Sequence, residues 1–346
     1  YTNFSGKSPM SDLRRKNGRT EPWKVKFWGI GNEAWGCGGN MTAEYYAGEY
    51  RKYATFMSDW ENTGGITRIA SGSNSADYNW TEVLMKNIPL NMMDGLSVHY
   101  YTMTGSWTDK KSATVFDKET YLETLRKAAG IEELIERHGA IMDQYDPEKR
   151  IGMIVDEWGT WYQVEPGTNP GFLYQQNTMR DAHVAAISLN IFNKHADRVH
   201  MANLAQTVNV LQAIILTNDT DMILTPTYHV FDLYKPHKDA TLLSHHLVTE
   251  VVSYGKEKLE ALGAKVAIDL PTLARSVDVI FTVVADSPDV ESVILGRHGL
   301  LEGAHADTLI VECSTIDPQV SEEVGLKVRH AGFRMMDAPI GGRPAQ

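Results

Sequence analysis

The sequence has little cysteine. Cys37 and Cys313 are the two cysteines among 346 residues, too few for a disulfide framework and without the spacing of metal ligands. That usage points to a reducing or neutral compartment. A basic surplus is also missing: the net charge is −11, which argues against a nucleic-acid backbone as partner. No apolar run approaches the roughly 18 residues of a membrane-spanning helix, so no membrane partner is expected. No leader pattern is visible, although the first residue is Tyr1 rather than Met; a cytoplasmic location is the expectation. Internal repeats and low-complexity tracts are lacking. Tryptophan is missing from everything after Trp161, and that change in texture divides the chain.

What is present fits a soluble globular protein, with 42% hydrophobic and 22% charged residues. The length exceeds what one core usually serves, so two domains are expected. Residues 1–243 are rich in aromatics and form the first. Residues 262–346 form the second, where short β-branched runs (Ala264–Ile268, Val277–Val284, Asp307–Val311) alternate with helical patterns at Ser287–Leu295 and Gln319–His330. Such alternation reads as a parallel α/β sheet. Residues 244–261, with His245 and His246, form a junction. Neither this histidine pair nor His195 and His200 brings a third ligand, so no metal site is expected.

In the first part, strands are expected at 25–30, 66–71, 94–99, 151–156 and 198–204. Helical patterns at Ala43–Asp59, Lys118–His138 and Leu173–Phe192 separate them. The βαβα order suggests a (β/α) barrel, whose chemistry gathers at the C-terminal ends of the strands. Eight strands close such a barrel, and five are found.

Two glutamates lie where strands end: Glu33, after Val25–Asn32, and Glu157, after Ile151–Asp156. Carboxyl groups about 5–5.5 Å apart let a retaining glycosidase protonate the leaving oxygen with one and attack the anomeric carbon with the other. Nearby tryptophans offer flat apolar faces for sugars. Taken singly, each glutamate reads as a helix-start residue favoured by the helix dipole; the two motifs together favour catalysis. A rival reading exists, because Gly29–Ala34 fits G-x-G-x-x-A after a strand, with Glu49 about twenty residues past the first glycine. The glycines of Trp35–Gly39 would spoil the helix that must face a pyrophosphate.

Several stretches resemble the α-L-arabinofuranosidases of glycoside hydrolase family 51: Ser11–Arg15, Trp28–Gly39, Val155–Tyr162, Glu165–Gly171 and His195–Gln206. The resemblance spans residues 11–243. It implies a retaining double displacement with Glu33 as acid/base and Glu157 as nucleophile. It implies Asn32 on the sugar 2-hydroxyl, His99 and Tyr101 lining the pocket with Tyr101 steering Glu157, and Trp35, Trp161 and Gln206 near the arabinose. It also implies an arabinose-containing oligo- or polysaccharide as partner, no cofactor, and a homo-oligomer. The fold implied is a (β/α)8 TIM-type barrel lacking here its first three strands and its β-sandwich. Without the resemblance, His99 reads as a satisfied core histidine and Cys37 as buried filler. Tyr100 and Tyr101 point to opposite faces of their strand, so one of them can face a pocket.

The tail resembles the β-hydroxyacid dehydrogenases, such as 3-hydroxyisobutyrate dehydrogenase, at Leu262–Val266, Asp278–Thr282, Cys313–Pro318 and Asp337–Gly342. This implies a partial Rossmann-like segment without its glycine-rich first turn or the family's catalytic lysine. Thr315 would approach a nicotinamide and Gly341–Gly342 a substrate carboxylate. An NAD-dependent oxidoreductase fragment and a catalytically silent chimera are therefore the alternatives to an arabinofuranosidase.

Overall fold

The computed structural model describes residues 1–59, 65–242, 251–254, 257–260, 269–284, 286–314 and 316–337. The chain forms two compact units. One comprises Tyr1–His245 with Val251–Leu259, the other His246–Glu250 with Glu260–Gln346. Part of the expected junction thus groups with the first unit.

The first unit opens with α1 (Pro9–Lys16) and β1 (Phe27–Ile30). It continues through α2 (Ala43–Phe56), β2 (Thr67–Asn74), α3 (Tyr78–Asn87), β3 (Gly95–Thr102), α4 (Lys118–Ala129), α5 (Ile131–Tyr145), β4 (Gly152–Thr160), α6 (Met179–Lys194) and β5 (Val199–Leu204). A hairpin, β6 (Ile215–Asn218) and β7 (Asp221–Leu224), and α7 (Pro226–Tyr234) follow. Strands β8 (Val251–Tyr254) and β9 (Glu257–Glu260) make a further two-stranded sheet. The five long-sheet strands lie where the sequence places them. They pair in parallel and in chain order, β1 to β5. The result is an open half-barrel of the TIM type. Among the described residues β1 pairs only with β2 and β5 only with β4, so both edges are free.

Side chains set the helix boundaries. Thr42, Asp77 and Asp117 cap α2, α3 and α4 by accepting backbone N–H groups. The helix expected over 118–138 is two helices, broken at Gly130, where glycine's low helix propensity makes a break cheap. The helix expected from Leu173 starts at Met179, behind a capping box of Thr178 and Asp181. The preceding residues are held off the helix because buried Gln175 accepts from the Tyr162 N–H and donates to Thr160.

The core lies between sheet and helices. Ile30, Ala70, Leu96, Met153 and Val155 of the sheet meet Tyr46, Tyr50, Leu84, Ile135, Met142 and Ile191 of the helices. Each large apolar side chain so buried contributes about 1.5–3 kcal/mol. Trp158 belongs to this packing, stacked on Phe231 and edge-on to Phe192, rather than to a sugar pocket.

At the other end of the sheet, buried Arg198 donates to the carbonyls of Ile151 (2.8 Å) and Asp146 (3.0 Å). It also pairs with the carboxylates of Asp146 (3.2 Å) and Asp143. Asp146, itself fully buried, accepts the Ile151 N–H at 2.7 Å. This cluster sets where β4 and β5 begin relative to α5.

The second unit contains α8 (Leu270–Arg275), β10 (Val279–Thr282), α9 (Ser287–Leu295), β11 (Leu309–Glu312), α10 (Pro318–His330) and β12 (Arg334–Asp337). Its three strands are parallel and in chain order, over a core of Ile280, Val290, Ile294, Ile310, Val324 and Val328. The strand expected at Ala264–Ile268, and Thr315, Gly341, Gly342, His245 and His246, lie outside the described residues.

Replacing Arg198 by Met removes the buried cation beside Asp146 and leaves its carboxylate only the exposed Arg150 guanidinium, 3.5 Å from Oδ1. We expect a loss of about 3–5 kcal/mol, read as a lower urea midpoint for the first unit. A change below 1 kcal/mol would show that the cluster does not hold the sheet.

Candidate active site

The loop after β1 is a chain of turns, not the start of a helix; α2 begins only at Ala43. The dinucleotide reading of Gly29–Ala34 therefore lacks the helix N-terminus it requires. Glu33 itself adopts φ 43°, a left-handed conformation uncommon for a residue with a side chain. The Gly36 and Gly38 N–H groups donate to its carbonyl at 2.8 and 3.0 Å and hold that conformation. Gly38 must be glycine, since a Cβ there would sit 1.7 Å from the Asn32 carbonyl oxygen.

The loop is tied to a bulge in β2. Between Ala70 and Ser73 the register against β3 shifts, which leaves Ser71 and Gly72 out of the regular ladder. The Ala34 N–H donates to Ser71 Oγ (3.2 Å) and the Trp35 indole to the Gly72 carbonyl (3.1 Å). Tyr46 of α2 adds a third tie: its hydroxyl donates to the Ile30 carbonyl and accepts from the Ser71 N–H.

A second bulge shapes β4. Ser97 faces Ile154 but His99 faces Glu157, so β4 carries one residue more than β3 across this stretch. The same excess appears against β5 between Val155 and Trp158. In a regular strand Asp156 and Glu157 would point to opposite faces. Here both reach His99. Asp156 Oδ1 lies 3.1 Å from Nε2, while Glu157 Oε2 and Glu33 Oε1 each lie 3.1 Å from Nδ1. Carboxylate oxygens of Glu33 and Glu157 come within 4.8 Å of each other.

His99 is buried, with 4% of its surface exposed. Burial pushes the imidazole toward neutrality, but Asp156, Glu157 and Glu33 outweigh it and lift its pKa to about 8. At neutral pH a cation therefore sits between the two glutamates. The Tyr101 hydroxyl donates to Glu157 Oε1; burial first, and then this bond, push the phenol's pKa up. Tyr100 turns the other way and donates to the Lys127 carbonyl at 2.6 Å. Of the two tyrosines, Tyr101 is the one beside the glutamates.

The remaining expected residues divide. Trp161 packs edge-on to Tyr101 at 4.7 Å between ring centroids, and Trp35 stands edge-on to His99 at 6.5 Å. Both line the surroundings of the glutamates. Asn32 and Gln206 are exposed.

Two contacts escaped the sequence reading. Cys37 is not buried filler: it is exposed, and its thiol lies 3.1 Å from Glu33 Oε2. That hydrogen bond, with the charge of Glu33, pushes the thiol's pKa up. Asp156 was legible only as part of a motif, because strand alternation directs it away from Glu157. Among the described residues two groups have metal-ligand spacing. One is Glu33, His99 and Glu157, already hydrogen-bonded to Cys37 and Tyr101. In the other, the Lys194 ammonium lies 2.6 Å from Glu132 and supplies the cation.

Residues 1–120 match the family model of the α-L-arabinofuranosidase 1 domain, and residues 156–297 that of the α-L-arabinofuranosidase C-terminal domain. Over 253 residues the chain is 53% identical to an intracellular exo-α-L-arabinofuranosidase of Bacteroides ovatus, covering 73% of this chain and 49% of that protein. The crystal structure of the family 51 arabinofuranosidase from Xanthomonas axonopodis pv. citri superposes with a TM-score of 0.73 at 51% identity. It covers 75% of this chain and 52% of that one. An α-L-arabinofuranosidase from Thermotoga maritima, solved with arabinose, gives a TM-score of 0.51 at 31% identity, over 67% and 44% of the two chains. The chain spans about half the length of the curated relatives it matches. These comparisons give the dehydrogenase-like reading of residues 262–343 no support, and the second matched model runs into that region.

His99 makes the site pH-sensitive. Its folded pKa of about 8 exceeds the ordinary 6.5. The stability it contributes is therefore full below about pH 6.5 and is lost as pH rises through about 8. NMR titration should find His99 near 8, and Asp156→Asn should lower that value. A His99 titration unmoved by Asp156→Asn would show that Asp156 does not charge the imidazole.

Proposed function

The matched part of the chain belongs to the α-L-arabinofuranosidases of glycoside hydrolase family 51, and on that premise we propose that the protein is a retaining glycosidase. It releases terminal α-L-arabinofuranosyl residues from arabinosides, arabinan or arabinoxylan. The observation that carries this reading is the pair Glu33 and Glu157, with oxygens within 4.8 Å and His99 between them. Such closeness suits direct attack by a carboxylate rather than a water held between two distant ones.

In the proposed sequence Glu157 attacks the anomeric carbon and forms the glycosyl-enzyme while Glu33 gives its proton to the leaving oxygen. Glu33 then takes a proton from water as the water releases arabinose and frees Glu157. The Tyr101 hydroxyl donates to Glu157 and His99 lies 3.1 Å from its other oxygen, which fixes the orientation of the attacking carboxylate. Trp161 and Trp35 wall the sugar, Asn32 takes its 2-hydroxyl, and Gln206 contacts the ring. The exo action and intracellular setting named for the Bacteroides ovatus relative are carried over in the same proposal, as a cytoplasmic enzyme.

A homo-oligomer belongs to the reading as well: the free edges of β1 and β5 favour pairing with further backbone. Division into 1–243, 244–261 and 262–346 is retained as the domain proposal. For the last segment the parallel order β10–β11–β12 with α9 and α10 between its strands favours a Rossmann-like half. As a second reading it would be an NAD-dependent fragment, which NADH binding by fluorescence would reveal.

A chromogenic α-L-arabinofuranoside tests the main reading. The parent should turn it over, Glu157→Ala should lose on the order of 1000-fold or more, and azide should restore release in that variant. Tyr101→Phe should lower kcat by roughly 100-fold, as for loss of one preorganised donor. A folded parent as silent as Glu157→Ala would sink hydrolysis and favour the silent chain. Light scattering at several concentrations checks assembly, and a monomer throughout would overturn the oligomer.

A further inference from the structure

Fully buried His138 of α5 takes no part in the proposed mechanism, yet its ring is wedged where α5, α3 and the end of β2 meet. Both ring nitrogens are engaged. Nε2 lies 2.7 Å from the Ser75 carbonyl oxygen and 3.3 Å from Ser73 Oγ, and Nδ1 lies 2.9 Å from Thr81 Oγ1. A carbonyl only accepts, so the ring hydrogen is on Nε2, and the bare Nδ1 accepts from the Thr81 hydroxyl. The Tyr78 ring packs on the imidazole at 4.6 Å between centroids, and the Arg137 guanidinium lies 4.1 Å over Tyr78. Burial lowers the pKa of His138 and keeps the ring neutral. Of the charged groups around it, Asp77 ahead of α3 favours the cation and Arg137 on α5 opposes it; Ser73, Ser75 and Thr81 bring no charge.

What His138 grips is the turn that leaves β2. Ser75 adopts φ 47°, a left-handed conformation that surrounding contacts must hold. The bond from Nε2 fixes its carbonyl. Its N–H donates to the His99 carbonyl at 2.9 Å, one step beyond the pairing of Asn74 with His99 that ends the β2–β3 ladder. Two hydrogen bonds through one strained residue therefore join the His138 ring to the backbone of His99, whose own ring meets Glu33, Asp156 and Glu157. We propose that His138 is a positioning residue, which clamps the Ser75 carbonyl and thereby holds His99 in place between the two glutamates. The proposal rests on the glycosidase reading and deepens it by assigning part of the site's alignment to the helix layer. The His99 ring shares two nitrogens among three carboxylates, so any shift of its backbone changes all three contacts at once.

The test compares His138→Gln with His138→Asn in the full chain. A Gln amide reaches the place of Nε2 and keeps a donor for the Ser75 carbonyl, whereas an Asn amide reaches only that of Nδ1. On a chromogenic α-L-arabinofuranoside, His138→Asn should lower kcat about tenfold with KM within about twofold of the parent, and His138→Gln should recover most of the loss. NMR should show the His99 titration moving down from about 8 in His138→Asn and staying there in His138→Gln. If His138→Asn does not fold, Thr81→Val takes its place: it removes the donor that fixes the ring's tautomer, and kcat and the His99 titration should fall in the same sense by less. Unchanged kcat and His99 titration in the folded variant, or equal losses in His138→Gln and His138→Asn, would overturn the positioning role. A parent without turnover, whose His99 titration still separates His138→Asn from His138→Gln, would instead overturn the hydrolase reading and leave the positioning role standing.

Discussion

One extra residue in β4 organises the candidate active site. An unbroken strand directs consecutive side chains to opposite faces, so Asp156 and Glu157 could not both meet a single imidazole. The bulge between Ile154 and Trp158 removes that alternation locally. His99 then receives Asp156 on one ring nitrogen and both glutamates on the other. The strand resumes its alternation in time to bury Trp158 against Phe192 and Phe231. The geometry of the candidate site and the core packing therefore share one backbone irregularity.

The electrostatics follow from this placement. Three carboxylates around one buried ring would repel each other if the ring were neutral. A charged imidazole offsets that repulsion, and the elevated His99 pKa expresses it. Hydrogen bonds then distinguish the glutamates: Tyr101 donates to Glu157 and Cys37 to Glu33. The left-handed backbone at Glu33, held by the glycine-rich turn and by the bulge of β2, brings that side chain across two strands to the same ring. Glu33, one of the two glutamates proposed to be catalytic, is thus among the residues held in a strained backbone conformation.

The half-barrel delivers these side chains from the C-terminal ends of β1, β3 and β4, as parallel α/β architecture requires. Its five strands are aligned by their parallel ladders and by a core shared with the helices. Among the described residues the same architecture leaves the outer edges of β1 and β5 without a partner strand and a band of aromatics, among them Phe27, Tyr53 and Phe56, exposed on the first βα unit.

Much of this was legible in the sequence. Strand positions followed from apolar runs, and the two glutamates were marked by falling at the ends of two of them. Tyr101 rather than Tyr100 needed only knowledge of which face of β3 looks toward Glu157. Other features were set by local chemistry but obscured by periodicity. Gly130 splits an apparently continuous helical pattern, and Gln175 delays α6 by engaging the loop after β4. What the sequence determined by itself was the order of elements and the residues able to do acid–base work, because those depend on side-chain type and short-range pattern. Tertiary structure alone decided that Asp156 joins His99, that exposed Cys37 touches Glu33, and that Trp107 meets Trp161 edge-on. Those relations depend on a register shift, a left-handed residue and loop-to-loop contacts between segments far apart in the chain, and none of these leaves a periodic trace.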